Sequence, residues 1–87
     1  MVLRIDRADR RGSAVFLLSG RIELQHIGEL QTEFAAERLP IIVDLTDVKL
    51  VHREVIETLA HWELDGIKLE NCPTYVRDWI ARVRSQK

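Results

Sequence analysis

Eighty-seven residues, 46% of them hydrophobic and 31% charged, make one domain, 1–87, and leave no room for a second. At this length folding buries only roughly 60–65% of the surface that the unfolded chain exposes, so the core is expected to be thin. Thirteen Lys and Arg against fourteen Asp and Glu give a net charge of −1, which argues against a binder of phosphate backbones, and the single cysteine, Cys72, excludes an internal disulfide and a cysteine-rich zinc site.

Val2 to Asp6 is a short strand with Leu3 and Ile5 on one face. Residues 7–13 follow as a polar turn in which Gly12 supplies a positive φ. Ala14 to Ser19 is a second strand, apolar on both faces at Val15, Phe16, Leu17 and Leu18, and therefore expected inside a sheet. From Glu23 the period changes. Leu24, Ile27, Leu30 and Phe34 recur at spacings of three and four, with Ala35 alongside, and predict an amphipathic helix that Leu39-Pro40 stops. Ile41, Ile42 and Val43 form a β-branched run that reads as a buried strand ending at Asp44. A second helical face follows at Val55, Ile56, Leu59, Ala60, Trp62 and Leu64, closed by Asp65-Gly66. Ile67 to Leu69 is a fourth strand. Asn71-Cys72-Pro73 opens a last helix with Pro73 at its first position and Val76, Trp79, Ile80 and Val83 as its apolar face. Arg82, Arg84 and Lys87 suit its negative end.

The order is β-β-α-β-α-β-α. It predicts an α/β fold, a small four-stranded mixed and mainly parallel sheet with three helices. Two right-handed crossovers in one direction put the first two helices on one face of that sheet. The second face then needs a cover, such as a partner subunit, or stays partly exposed. The residues between Asp44 and the helix near His52 fall at the carboxyl end of the sheet, where binding sites of open α/β sheets collect.

Most catalytic chemistry lacks a motif here. Gly12, Gly20, Gly28 and Gly66 are scattered and form no phosphate loop, and Ser13, Ser19 and Ser85 sit on no nucleophile elbow. Glu54, Glu57 and His61 share a helical stripe, but one helix cannot complete a metal site, and a solvated face is the simpler reading. Cys72 reads as a small buried cap residue rather than an activated thiol. Trp62, Tyr75 and Trp79 read as packing rather than a nucleic-acid platform, and Arg7, Arg10 and Arg11, interleaved with Asp6 and Asp9, as a solvated turn. No apolar run approaches the ~20 residues of a membrane span. The opening MVLRIDRADRR runs out of apolar residues after Ile5, so no signal peptide is expected. A cytoplasmic protein without cofactor or metal, binding neither nucleic acid nor membrane, is the expectation.

The pattern Ile42-Val43-Asp44-Leu45-Thr46-x-Val48-x-Leu50-Val51, followed by a helix, resembles the STAS domain of sulphate transporters and bacterial anti-sigma factor antagonists. In that family an interior strand ends in an Asp-Leu-Ser/Thr-like turn, a hydrophobic pair follows, and an Asp-Ser-Ser-Gly-Leu-Gly-like segment opens a helix. Leu18-Ser19-Gly20-Arg21-Ile22 is similar to the family's segment before its first helix, and the order of elements agrees over almost the whole chain. By register His52 stands at the family's Asp, Arg53 at its first Ser, Glu54 at its second Ser and Val55 at its Gly. The second Ser is the phosphoacceptor of the antagonists. Glu54 carries one negative charge where phosphoserine carries ≈ −1.5 to −2. Two readings of Glu54 stand side by side: a vestige of the switch, or a residue that suits the first turn of a helix. The chain ends after its third helix, where many family members continue with another strand and helix, so the fourth strand is expected at an edge open to pairing, including a homodimer.

The resemblance implies a non-catalytic interaction module whose partner is an anti-sigma factor or a switch-kinase-like protein. Its partner-binding residues would be Thr46, Asp47, Leu50, Val51, His52, Arg53 and Glu54, with Glu54 in the phosphoacceptor position, Leu50 and Val51 supplying apolar contact, and Thr46 hydrogen bonding within its turn. The alternatives are a structural, dimerising or small-ligand or nucleotide-binding domain of the same fold with no sigma-factor role, and a small metal enzyme on the Glu54, Glu57 and His61 stripe.

Overall fold

Arg11 and Gly12 turn the chain with φ of 48° and 83°, the pair of positive values that a two-residue hairpin of the primed type requires. β1 (Arg4–Arg10) and β2 (Ser13–Ile22) therefore pair antiparallel from Arg10 opposite Ser13 down to Arg4 opposite Ser19. The polar residues 7–10, expected in a turn, belong to the strand. β1 is an edge strand, and charged side chains on an edge are compatible with pairing while discouraging a second partner. The structure, a computed structural model, describes residues 3–85. Val2 and Lys87, assigned above to the first strand and the last helix, lie outside the described residues, as does the side chain of Leu50.

β2 leads into α1 (Leu24–Ala36), and β3 (Ile41–Val51) returns parallel to β2. α2 (Arg53–Leu64), β4 (Lys68–Glu70) and α3 (Thr74–Ser85) follow, with β4 parallel to β3. The sheet order is β1-β2-β3-β4. This is the expected α/β fold, a four-stranded mixed sheet with three helices in the order β-β-α-β-α-β-α.

All three helices pack on one face of the sheet. Phe16, Leu18, Val43, Leu45 and Leu69 of the strands meet Leu30 and Phe34 of α1, Val55, Ile56, Leu59 and Trp62 of α2, and Val76 and Ile80 of α3 in one buried cluster. An aromatic chain joins three elements through it. Phe16 and Phe34 meet edge to face with ring centroids 5.0 Å apart, and Phe34 meets Trp62 in the same way at 4.9 Å. Gly66, at φ 97°, ends α2 as expected. Pro73 sits one place earlier than expected: its carbonyl accepts the first bonds of α3, from Val76 and Arg77. Leu24, Leu64 and Trp79, assigned above to apolar helix faces, are exposed. Leu24 and Leu64 stand in the first and last positions of their helices, beyond the edge of the sheet layer.

The opposite face carries no helix among the described residues. Val15 and Ile42 point to it and are nevertheless only 5% and 9% exposed. Arg10 of β1 reaches across β2 and β3 to Glu70 of β4, with Nη2 to Oε2 at 2.7 Å, and Lys68 stands 3.8 Å from the same carboxylate. The charged side chains of the edge strands thus bridge this face above Val15 and Ile42, while Leu17, which points the same way, stays 37% exposed, so the face is partly open, one of the two outcomes expected above.

Phe34 holds the middle of the aromatic chain and is buried. Phe34→Ala is expected to cost about 3–5 kcal/mol in urea denaturation, a large share of the stability of a chain this size.

Candidate functional site

β3 is longer than the strand its sequence advertises. Nine residues of β2, Ala14 to Ile22, lie against eleven of β3, Ile41 to Val51, and the register shifts between Leu17 and Ser19 and again between Gly20 and Arg21. Each shift is a bulge that sets one extra β3 residue against β2. The strand does not stop at Asp44; the expected loop after it is bulged strand, and the helix that follows opens directly from it. The bulges change the inward spacing. Val43 and Leu45 face the core two apart, and then Val48 and Val51 face it at intervals of three. Thr46, Asp47 and Lys49 are left exposed on the other side. Val51, expected to offer apolar contact to a partner, is therefore buried, because the second bulge turns it into the core.

Asp44 ties the first bulge together. Its Oδ1 accepts the N–H of Thr46 at 2.8 Å and the Thr46 hydroxyl, and its Oδ2 accepts Asn71 Nδ2 at 3.2 Å. Asn71 itself holds a positive φ of 54° just past β4. One carboxylate thus fixes the β3 bulge and the entry to α3. Partial burial opposes the charge of Asp44, but the bonds from Thr46 and Asn71 and the charge of Arg10 outweigh it and hold the carboxyl below its ordinary range. Thr46 has the local hydrogen-bonding role expected of it, inside a strand rather than a turn.

β2 and β3 end level, with Ile22 opposite Val51, and His52 N–H donates to the Ile22 carbonyl at 3.3 Å. His52 is the N-cap of α2 but makes no side-chain cap bond. Arg53 and Glu54 form the first turn, and all three side chains are exposed. The amino end of α1 starts beside them. There Glu23 N–H donates to His26 Nδ1 at 3.0 Å, and Arg21 and Leu24 are exposed. Of the expected residues, His52, Arg53 and Glu54 stand together at the carboxyl end of the parallel pair, whereas Thr46 and Asp47 lie further back on the bulged strand, beside Leu17 to Ser19 of β2. Arg21 and Leu24 join them there, unmarked in the sequence except by their place just after the second strand.

From Arg53 the surface continues into a cleft of about 410 Å³ lined by Arg53, Ile56, Glu57, Trp79, Arg82 and Val83. A neighbouring cleft of about 370 Å³ is lined by Glu57, Ala60, His61, Leu64, Val83 and Arg84. Trp79, expected to pack in the core, instead lines the first of these and is 38% exposed. Its helix buries Val76 and Ile80, and Trp79 stands at the edge of that stripe against α2. Arg77 Nη1 bonds both oxygens of Glu63 at 3.0 Å and holds α3 to α2.

Glu54, Glu57 and His61 do not gather a further ligand: among the described residues no group of three or more His, Cys, Asp or Glu is placed to hold a metal. Cys72 is half-buried, and that burial pushes its thiol up. Among the described residues no helix is long and apolar enough to cross a membrane. No protein-family model and no curated protein matches this chain.

Two predictions follow from this geometry. A carboxyl lowered in the native state stabilises the fold above its unfolded value of ~3.9, and the contribution is lost as pH falls through the native value. Asp44→Asn is therefore expected to cost about 1–3 kcal/mol at pH 7, with the gap to wild type narrowing as pH falls below the unfolded carboxyl value in parallel urea titrations. His52→Asp gives α2 the side-chain cap it lacks and is expected to raise stability by about 1 kcal/mol.

Proposed function

We propose that this chain is a non-catalytic protein-interaction module resembling an anti-sigma factor antagonist, in which the phosphoserine switch is absent and Glu54 stands in its position. The observation that carries the reading is the exposed run His52-Arg53-Glu54 at the amino end of α2, level with the carboxyl ends of β2 and β3. The element order and the mixed sheet support it, since the resemblance implies both.

The physical case for a fixed rather than switchable surface rests on Glu54. A carboxylate in the first turn of α2 sits where the helix dipole favours negative charge. It cannot be removed by a phosphatase or added by a kinase. Partner recognition would use His52, Arg53 and Glu54 for specificity, with Thr46 and Asp47 on the adjoining bulge. Apolar contact has to come from elsewhere than Val51, and Leu24 beside the site and Trp79 beyond Arg53 are the exposed apolar groups at hand. The partner by resemblance is an anti-sigma factor or switch kinase, in the cytoplasm.

The test is co-purification with wild type, Glu54→Ser and Glu54→Ala, the retained protein being identified by mass spectrometry. A partner of the anti-sigma or switch-kinase class held by wild type and weakened about tenfold in Glu54→Ala is the expected result. Retention of no protein by any of the three contradicts the reading. A partner gained by Glu54→Ser alone makes Glu54 a permanent off state.

A further inference from the structure

The surface between α2 and α3 differs in charge from the molecule as a whole. The chain carries a net charge of −1, yet Arg53, Arg82 and Arg84 border the two clefts against the single carboxylate of Glu57. Among the described residues no carboxylate lies within ion-pair distance of Arg53 or Arg82. Arg84 reaches only to 3.9 Å from Glu63, whose two oxygens are already taken by Arg77. Between these cations the surface is apolar. Ile56, Ala60 and Val83 form the floor, Trp79 stands at one end and Leu64, 63% exposed, at the other. The clefts share Glu57 and Val83, so they adjoin. From Arg53 to Leu64 the α2 wall runs about 16 Å, the length of a helix of about three turns.

We propose that this surface docks an acidic amphipathic helix of a partner protein, its apolar stripe seated on Trp79, Val83 and Leu64 and its carboxylates on Arg53, Arg82 and Arg84. The inference deepens the proposed function and rests on it for the claim that the chain acts by binding a protein. Charge complementarity selects the occupant: unpaired arginines beside an exposed tryptophan are the pairing that carries energy at protein interfaces. Glu57 sets the register, because a carboxylate opposite it would be repelled, so the partner helix is acidic towards its ends and neutral or basic at its middle. A second copy of this chain does not fit. Its acidic helix, α1, exposes Glu29 and Glu33 but, of larger apolar side chains, only Leu24. A nucleic acid fits poorly too, since Glu57 and the apolar floor occupy the place where a phosphate track would run.

The probe is a fluorescein-labelled helical peptide of about four turns with Leu at helical spacing, Glu flanking both ends and Gln at its middle, titrated by anisotropy against the full chain. The control peptide has Lys in place of every Glu. The acidic peptide is expected to bind at least about tenfold more tightly than the control. Trp79→Ala should weaken it about tenfold, and the double variant Arg53→Glu/Arg82→Glu should abolish its advantage over the control. All three side chains changed are exposed, and far-UV circular dichroism with a thermal melt verifies that each variant is folded. Equal affinity for both peptides, an advantage that survives the double reversal, or no binding of the acidic peptide up to about 1 mM overturns the proposal. So does displacement of the peptide by a single-stranded oligonucleotide, or concentration-dependent self-association in light scattering that Arg82→Glu removes. The two proposals separate cleanly. A natural partner that is weakened by Glu54→Ala but retained equally by wild type and the single variant Arg82→Glu leaves the α2 amino end standing and removes the groove. An acidic peptide bound in the groove of a chain that retains no partner does the reverse.

Discussion

The two extra residues of β3 decide where the carboxyl end of the sheet and the amino end of α2 lie. A strand of strict alternation from Ile41 would have sent Val48 to solvent or ended the sheet at Asp44. The bulges instead keep Leu45, Val48 and Val51 in the core and carry the strand level with the end of β2. α2 can then begin at once, with the His52 N–H bonded back to Ile22. Asp44 stabilises this arrangement by closing the first bulge on Thr46 and anchoring Asn71 beyond β4. β4 pairs β3 only from Ile42 to Asp44, so the bulged half of β3 has one strand neighbour. Bulges twist such an edge away from further pairing.

A single layer of helices on a four-stranded sheet leaves one face to be managed without a second layer. The Arg10–Glu70 pair and Lys68 do this with side chains alone, spanning the two inner strands from edge to edge. Exposed ion pairs contribute little stability by themselves. Here the pair ties the two edge strands together over the face that carries Val15 and Ile42. The stability of the chain rests on the other face, where the Phe16, Phe34 and Trp62 rings link β2, α1 and α2.

Element types and order were legible in the sequence because apolar period and turn residues agree along most of the chain. Ile41-Ile42-Val43 is a strand by composition, Asp65-Gly66 a helix end by conformation, and Leu30 and Phe34 a core face by spacing. What was hidden is hidden for identifiable reasons. Val43, Leu45, Val48 and Val51 lie at intervals of two, three and three, which resembles neither a strand nor a helix, so bulged strand reads as loop. Arg7 to Arg10 look like a turn because an edge strand tolerates the residues that a turn prefers. Trp79 fits the apolar stripe of α3 by spacing, yet α3 packs at the margin of α2, and its outermost position faces the groove. The exposed trio His52, Arg53 and Glu54 was legible as a site from its place after a strand; its extension along α2 and α3 needed the tertiary packing.

The fold and the proposed surfaces share one premise: β3 is ordered to Val51 and holds the amino end of α2 in place. Native-state amide hydrogen exchange, resolved by residue, tests it most directly. The bonded amides between Leu45 and Val51 should exchange in the slow class with those of Val43 and Phe16, opening with free energies close to that of global unfolding. Exchange of residues 45–51 in the fast class of exposed loops, with Val43 still protected, would contradict the account, because the surface at His52, Arg53 and Glu54 would then have no fixed support.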